Sequence, residues 1–470
     1  MSLRQRQVTI LDCSILSPNQ QAPISILSGV RRIDIYESIF QNTISGSIAV
    51  QDTAGLVELM PLVGVEHVFL DFVVQGIGPD DAPARFRRVF RITKVHDQVF
   101  LKNDLRDLII EFATPEFVAS TSRRISRRFH DMTCAEAVLE IVEKHLDLSE
   151  EMKQYTSKFV NGSPEPTWGK VDVVIPNYAP LRAINYFAML SLRNENRQSG
   201  GYLFFETLDG FHFTSLHRLI EDGKPRAERM PALHVNMAQS LAQSALSEND
   251  QNARNAIFRF QQEQAFDLLG GIASGMYRSR MIHFDFLAQK VNAHNLPVTD
   301  TTYTDAFKQT ASSHLNTYPL YPENYDREIG PSVRQFMVPT NVWSTANTST
   351  ASGQKTLQQE QLMHESIIHR NRQLRELRQI ESLVELPGQP QMRAGSVVRV
   401  IYPMTNALAG ADGSDTIQNA RPTARTTAHS GNHMVTSVHH IMVIKTPGEF
   451  DYRMALRVNN DSLSVPMRGL

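Results

Sequence analysis

Leu386-Pro387-Gly388-Gln389-Pro390-Gln391-Met392-Arg393-Ala394-Gly395-Ser396-Val397-Val398-Arg399-Val400 opens a run of three strand-like segments near the C-terminal end of the chain. A polar loop later comes Ser430-Gly431-Asn432-His433-Met434-Val435-Thr436-Ser437-Val438-His439-His440-Ile441-Met442-Val443. The third segment is Tyr452-Arg453-Met454-Ala455-Leu456-Arg457-Val458-Asn459-Asn460-Asp461-Ser462-Leu463. Apolar residues rich in valine alternate with polar ones at period two, and Pro-Gly, Ala-Gly and Ser-Gly pairs punctuate them, which predicts strands separated by turns. None of the three segments carries a nucleophile–base pattern.

Working back to the N-terminus, residues 8 to about 118 show the same character. Val8–Asp12, Arg31–Glu37, Ile44–Asp52, Val68–Val74, Phe86–Val95 and Leu105–Phe112 each predict a strand, the last two as an antiparallel pair. Asp52–Glu58 predicts a cap and a short helix. Short strands with turn punctuation suggest a small barrel or sandwich. Beyond Pro115 the period changes. Thr133 with Glu136 three residues later forms a capping-box pattern, followed by Ala137, Val138, Ile141, Val142 and Leu146 at helical spacing. A second helix is predicted from about Ala179 to Arg193. Tyr202–Leu216 predicts a hairpin turning at Asp209-Gly210. Strands recur between 254 and 292, including Phe258–Phe260 and Tyr277–Asp285. Residues 293 to about 352 predict a long polar loop, and 355 to 384 a helix carrying Leu362, Met363, Ile367, Ile368, Leu374, Leu377, Ile380 and Leu383.

Composition narrows the function classes. The 470 residues suit two to four domains, and 41% hydrophobic against 20% charged residues allows a sizeable core. The 47 basic and 49 acidic residues leave a net charge of −2, so no global imbalance points to nucleic acid or an anionic membrane as the main partner. Two cysteines, Cys13 and Cys134, exclude a disulfide scaffold or a four-cysteine zinc site and suggest synthesis in a reducing cytoplasm. No apolar run is long enough to span a membrane, and no h-region follows the basic N-terminus.

The ordered set resembles the baseplate hub proteins of contractile-tailed, T-even-like phages and the hub part of type VI secretion spike proteins. That order is a β-rich unit, a helical insertion, an aromatic hairpin with Asp209-Gly210, Gly275–Arg280 before Asp285 and Lys290, and a helix leading into Pro387-Gly388 and Ala394-Gly395. It covers most of the chain outside 293–352. The resemblance implies an α+β, mainly β fold with two small tube-type β-barrel domains and helical insertions. It divides the chain into an N-terminal barrel (1–118), a helical insertion (119–200), the first part of a second barrel (201–292), a polar loop and bridging helix (293–384) and closing strands (385–470). It further implies a homotrimer whose six barrels form a pseudo-sixfold ring joining the hexameric tail tube to a trimeric central spike. The expected partners are the chain itself, the tube protein, the spike, other baseplate proteins and, transiently, genome DNA in the lumen. The expected location is the virion baseplate after synthesis in the host cytoplasm, without stable membrane insertion. Type VI spikes continue into an OB-fold and needle; this sequence does not, so a separate spike is expected.

Arg85, Arg87 and Arg91 share a face of a predicted strand, and Arg123, Arg124, Arg127 and Arg128 crowd a predicted loop before a helix. Both sets suit an interface or lumen wall, against the plainer reading of a solvated surface. His433 and His439 would share a face roughly 20 Å apart on a continuous strand at about 3.3 Å per residue, and His439 and His440 would point to opposite faces; a metal site is not expected. Cys134, at a helix N-terminus, could be an activated thiol, but Ala135, Ala137 and Val138 around it favour a packed core residue. Phosphate-loop, nucleophile-elbow and zinc-protease motifs are missing from the sequence. No cofactor and no catalysis are expected; the alternatives are a tail-associated cell-wall hydrolase, which needs convergent acids in a cleft, and a host-binding adhesin built on the polar loop.

Overall fold

The computed structural model describes residues 6–18, 22–52, 55, 60, 62–74, 83–102, 105–146, 157–194, 201–230, 232–235, 256–264, 267–276, 279–285, 290–296, 312–313, 332–336, 367–401, 430–446 and 448–463. The chain is mainly β. The N-terminal strands are β1 (Arg6–Leu16), β2 (Val30–Ser38), β3 (Ser45–Asp52), β4 (His67–Val74), β5 (Ala84–Lys102) and β6 (Leu105–Ala113). Helix α1 (Pro115–Ser122), strand β7 (Ile125–Met132), helix α2 (Cys134–His145), strand β8 (Val171–Tyr178) and helix α3 (Pro180–Leu190) follow. Next come the hairpin β9 (Tyr202–Thr207) and β10 (Gly210–Ser215), helix α4 (Leu216–Arg229), β11 (Leu233–Val235), β12 (Ala256–Ile257) and β13 (Arg259–Gln264). Further strands are β14 (Ser279–Asp285), β15 (Lys290–Leu296), β16 (Ser332–Phe336), β17 (Ile380–Pro387), β18 (Val397–Ile401), β19 (Gly431–Thr446) and β20 (Glu449–Asn460).

The strands predicted around Val8, Arg31, Ile44, Val68, Phe86 and Leu105 all form, and their pairings return on themselves. β1 pairs with β4, then β5, β6, β3, β2, β19 and β20 follow in order, and β20 pairs with β1. A second circuit runs from the same β19–β20 hairpin through β17, β13, β12, β11 and β18 back to β19. Only Phe258 separates β12 from β13, and its N–H continues the ladder to the Glu385 carbonyl at 2.7 Å. Where the two circuits adjoin, the loop after β17 crosses the Tyr452 ring. A Cβ on Gly388 would lie 1.9 Å from Tyr452 Cδ1, so only glycine fits there.

Two hydrophobic cores result. The larger collects the inward residues of the strand circuits, among them Ile33, Ile35, Phe72, Phe90, Leu456 and Val458. The smaller lies between β7–β8 and α2–α3, around Phe129, Val138, Ile184 and Phe187. Burial of each such side chain contributes about 1.5–3 kcal/mol. The hairpin belongs to both: Leu203 and Phe205 enter the larger core, and Tyr202, Phe204, Phe211 and Phe213 the smaller. The capping box of α2 forms as predicted, with Thr133 Oγ1 accepting the Glu136 N–H at 3.2 Å and Glu136 Oε2 accepting the Thr133 N–H at 2.7 Å.

Several expectations change. The hairpin turns at Leu208-Asp209 rather than Asp209-Gly210, because Thr207 pairs with Gly210 and the glycine opens β10. The basic stretch read as a loop is strand from Ile125 onward, held to β8 by buried Ile125 and Phe129. The long helix ends at 377, and Ile380 starts β17. From there Ile380, Ser382, Val384 and Leu386 are buried alternately, a period-two pattern that overrides the helical spacing of Ile380 and Leu383. The part of that helix before 367 lies outside the described residues, as does most of Asp52–Glu58. Within the stretch read as a polar loop, β16 pairs in parallel with β14. Helix α4, which contains Gly223 and Pro225, falls in a stretch for which the sequence predicts no element.

Candidate functional site

A groove of about 910 Å³ lies on the outer face of β2, β19, β20 and β17, where the two circuits adjoin. Tyr36 and His439 are cross-strand partners with stacked rings 4.4 Å apart. His439 Nε2 lies 2.7 Å from Asp34 Oδ1, and Arg32 donates to the same carboxylate at 2.7 and 2.8 Å. Arg378 sits 4.0 Å over the Phe40 ring, and Arg457 bridges Glu381 at 2.8 Å and Glu263 at 3.0 Å. Tyr36 and Phe40 stay 39% and 36% exposed. Aromatic faces edged by paired charges suit recognition of another surface rather than bond-making. Among the described residues no cluster of His, Cys, Asp and Glu could hold a metal ion.

The histidine geometry differs from the expectation in one respect. His439 and His440 do point to opposite faces: His440 is fully buried and His439 faces the groove. His433 and His439 do not share a face. The ladder pairs Val435 with Val458 but Ser437 with Arg457, leaving Thr436 as an extra residue. That bulge reverses the alternation, and His433 turns to the buried side with His440.

Arg85, Arg87 and Arg91 lie along the outer face of β5. Arg85 grips Asp71 with bonds of 2.9 and 2.6 Å, and Arg87 reaches the same carboxylate at 3.3 Å while covering Phe69. The hydrogen bond from Arg85, with the two arginine charges, holds the Asp71 carboxyl below its ordinary value despite burial. Arg91 donates to the Gly64 carbonyl at 2.8 Å. The other four arginines belong to the separate β7–β8 sheet region. Arg127 pairs with Glu140 at 2.6 Å and Arg128 with Asp172 at 2.7 Å; Arg123 donates to the His145 carbonyl at 2.7 Å, and Arg124 to the carbonyls of Thr121 and Arg123. The structure therefore distributes the seven arginines over two surfaces.

Sequence reasoning missed the buried charges at the hairpin tip. Glu37, 1% exposed, accepts the Leu208 N–H at 2.8 Å and the Ala394 N–H at 3.2 Å. Arg393 Nε lies 4.0 Å from Glu37 and 3.0 Å from Asp209, and His440 bonds Tyr452 Oη through Nδ1 at 2.8 Å. Burial pushes the Glu37 carboxyl up, but His440, Arg393 and the Leu208 N–H outweigh it and the group titrates below its ordinary value. Burial dominates at His440 and keeps its imidazole pKa low. On the other side of the tip, Arg88 donates to the Leu208 carbonyl at 2.6 Å and to Ser157 Oγ at 2.6 Å. Alternation was the available signal: Glu37 is in phase with Ile33 and Ile35, and Arg88 with Phe86 and Phe90, so both had to face inward.

Cys134 is a core residue. Burial pushes its thiol up to about 12, and it packs in the smaller core.

No family model matches the chain, and no curated protein matches it in sequence. Similar solved structures are phage tail and secretion-system proteins. A tail protein from Neisseria meningitidis aligns over 96% of this chain and 96% of its own, at 10% identity and a TM-score of 0.47. The 43 kDa tail protein of prophage MuSo2 from Shewanella oneidensis aligns over 96% and 99%, at 9% identity and 0.46. An Escherichia coli component of the type VI secretion system, described as similar to T4 bacteriophage tail proteins, aligns over 97% and 79%, at 9% identity and 0.39.

Proposed function

We propose that this chain is a structural hub of a contractile tail. Each subunit contributes two β-barrels, three subunits form a pseudo-sixfold ring, and the ring joins a hexameric tube to a trimeric spike. The observation that carries the reading is the pair of closed hydrogen-bonding circuits sharing one hairpin, β19–β20. A subunit with two such units is what a threefold assembly needs in order to meet sixfold symmetry. The order of sequence motifs supports the same reading.

In this ring the Tyr36–Phe40 groove supplies part of a subunit contact, since interface cores favour aromatic residues and arginine. The two arginine surfaces face the neighbouring subunit or the lumen, where passing DNA would meet them. The partners are the tube, the spike and other baseplate proteins, and the location is the virion.

Light scattering on the purified chain, alone and with the spike from the same source, tests the proposal. A mass of three times 53.0 kDa, or a stable three-to-three complex, is the expected result. A monomer that ignores the spike would overturn it.

A further inference from the structure

The joint between the two cores contains a pair of acids that the hub reading does not use. Glu116 on α1 and Glu206 on β9 are each 1% exposed. Both are tied to Ser157: its N–H donates to Glu116 Oε1 at 3.1 Å, and its hydroxyl donates to Glu206 Oε1. Glu206 Oε2 accepts the Ile44 N–H at 3.1 Å, at the turn between β2 and β3. Arg88 from β5 is the cation whose charge acts on both, and it donates to Ser157 Oγ and to the carbonyls of Thr207 and Leu208. Beyond the hairpin tip lie Glu37, Asp209, His212, Arg393 and His440, whose charges are engaged with one another. From the segment holding Ser157, the neighbouring Lys158 is exposed. Two buried carboxyl groups thus share one serine and the charge of one arginine. Ionising both would leave an uncompensated buried charge.

We propose that this pair is a proton-operated fastening between the helical and strand cores: one proton retained by Glu116 and Glu206 closes the joint, and its loss to solvent loosens α1 and the β9–β10 hairpin together. The elements it clamps are those that span the joint. Glu206 sits in the hairpin that enters both cores, and Glu116 starts the helix that leaves the last strand of the N-terminal unit. Burial, then repulsion from Glu206, pushes the Glu116 carboxyl up to about 8, and burial pushes Glu206 up as well. Because the folded value lies above the unfolded one, the fastening is complete below the ordinary carboxyl range. It weakens as pH rises toward about 8 and is constant above that.

Hydrogen exchange on the full chain tests this, with rates corrected for the intrinsic effect of pH. The opening constant for amides of 116–122 and 202–215 should rise by up to about tenfold per pH unit between about pH 6 and about pH 8, then level. Glu116→Gln, which carries the equivalent of the retained proton, should hold that constant flat. A wild-type constant that does not change over this range, or a variant that keeps the wild-type slope, would overturn the proposal. If the variant does not fold, infrared spectra of the wild type decide. The carbonyl stretch of an un-ionised carboxylic acid should be present at neutral pH and vanish on alkalisation, and its absence at neutral pH refutes the fastening.

Discussion

Replacing Glu37 with leucine removes more than a charge. The carboxylate accepts two backbone N–H groups, from Leu208 and Ala394, and faces Arg393 and His440. Leucine leaves both donors buried without an acceptor, at about 1–3 kcal/mol each. It also leaves Arg393 with Asp209, which is half-exposed, as its one carboxylate partner among the described residues. Breaking one partner of a buried ion pair costs about 3–5 kcal/mol. These effects overlap, so Glu37→Leu should cost about 4–6 kcal/mol in all. Arg393→Met should cost less, about 2–4 kcal/mol, because both backbone donors keep their acceptor. The double variant carries no unpaired charge but still orphans the donors. It should therefore be no worse than Glu37→Leu alone, which is strongly non-additive. Equilibrium urea unfolding of the four proteins measures this, with circular dichroism and tryptophan fluorescence required to coincide because two cores could unfold separately. Equal single-variant costs that simply add would refute the reasoning and show that the hairpin tip is not held by this network.

Gly223→Ala should destabilise the chain by about 1–3 kcal/mol, because the new Cβ would lie 2.3 Å from Val397 Cγ2 and push α4 off β18; thermal melting reads the loss. Phe40→Glu should leave the circular dichroism spectrum unchanged while reducing the mass in light scattering to that of one chain, and an unchanged mass would remove the groove from the subunit contact. Cys13 and Cys134, both fully buried with thiols pushed up to about 12, should resist a thiol reagent at neutral pH until denaturant is added; stoichiometric reaction of the native protein would show that these cores open readily.

The strands were legible because they carry alternation, as in Arg31–Glu37, or are rich in strand-forming residues, as in Val8–Asp12, and the α2 start because the Thr133–Glu136 box is local. What was not legible depended on pairing across the chain. Nothing near Ser437 indicates that it lies beside Ser38, or that Tyr452 lies beside Arg6, yet those contacts close the first circuit. The His433 face was misjudged for the same reason: a bulge is defined by the partner strand, and one extra residue reverses every side chain beyond it. Helix α4 was hidden by Gly223 and Pro225, residues whose local preference is against a helix. Packing of Leu216 and Ile220 outweighs that preference, and Gly223 is there to let the helix approach Val397. The Glu37 node was within reach of alternation alone, but a carboxylate in phase with Ile33 and Ile35 is read as an exception until the donors awaiting it are seen.

The lengths of β19 and β20 bear on how such a subunit could move. They have 16 and 12 residues, against a usual strand of about five or six. The excess follows from double duty. β19 pairs with β18 through 431–434 and with β2 through 437–443, and β20 pairs with β1 through 449–452 and with β17 through 453–460. The Thr436 bulge falls where β19 changes partner, with Thr436 Oγ1 tied to the Asn459 side chain at 2.5 Å. Swinging one circuit against the other would therefore mean breaking hydrogen bonds within a single continuous hairpin rather than bending a linker. The joint with the helical core is different in kind, since it is crossed by the β9–β10 hairpin and by buried charges whose strength depends on protonation. In the proposed ring the two circuits of a subunit should thus behave as one rigid body, and a change of shape should begin where Glu116 and Glu206 meet the hairpin.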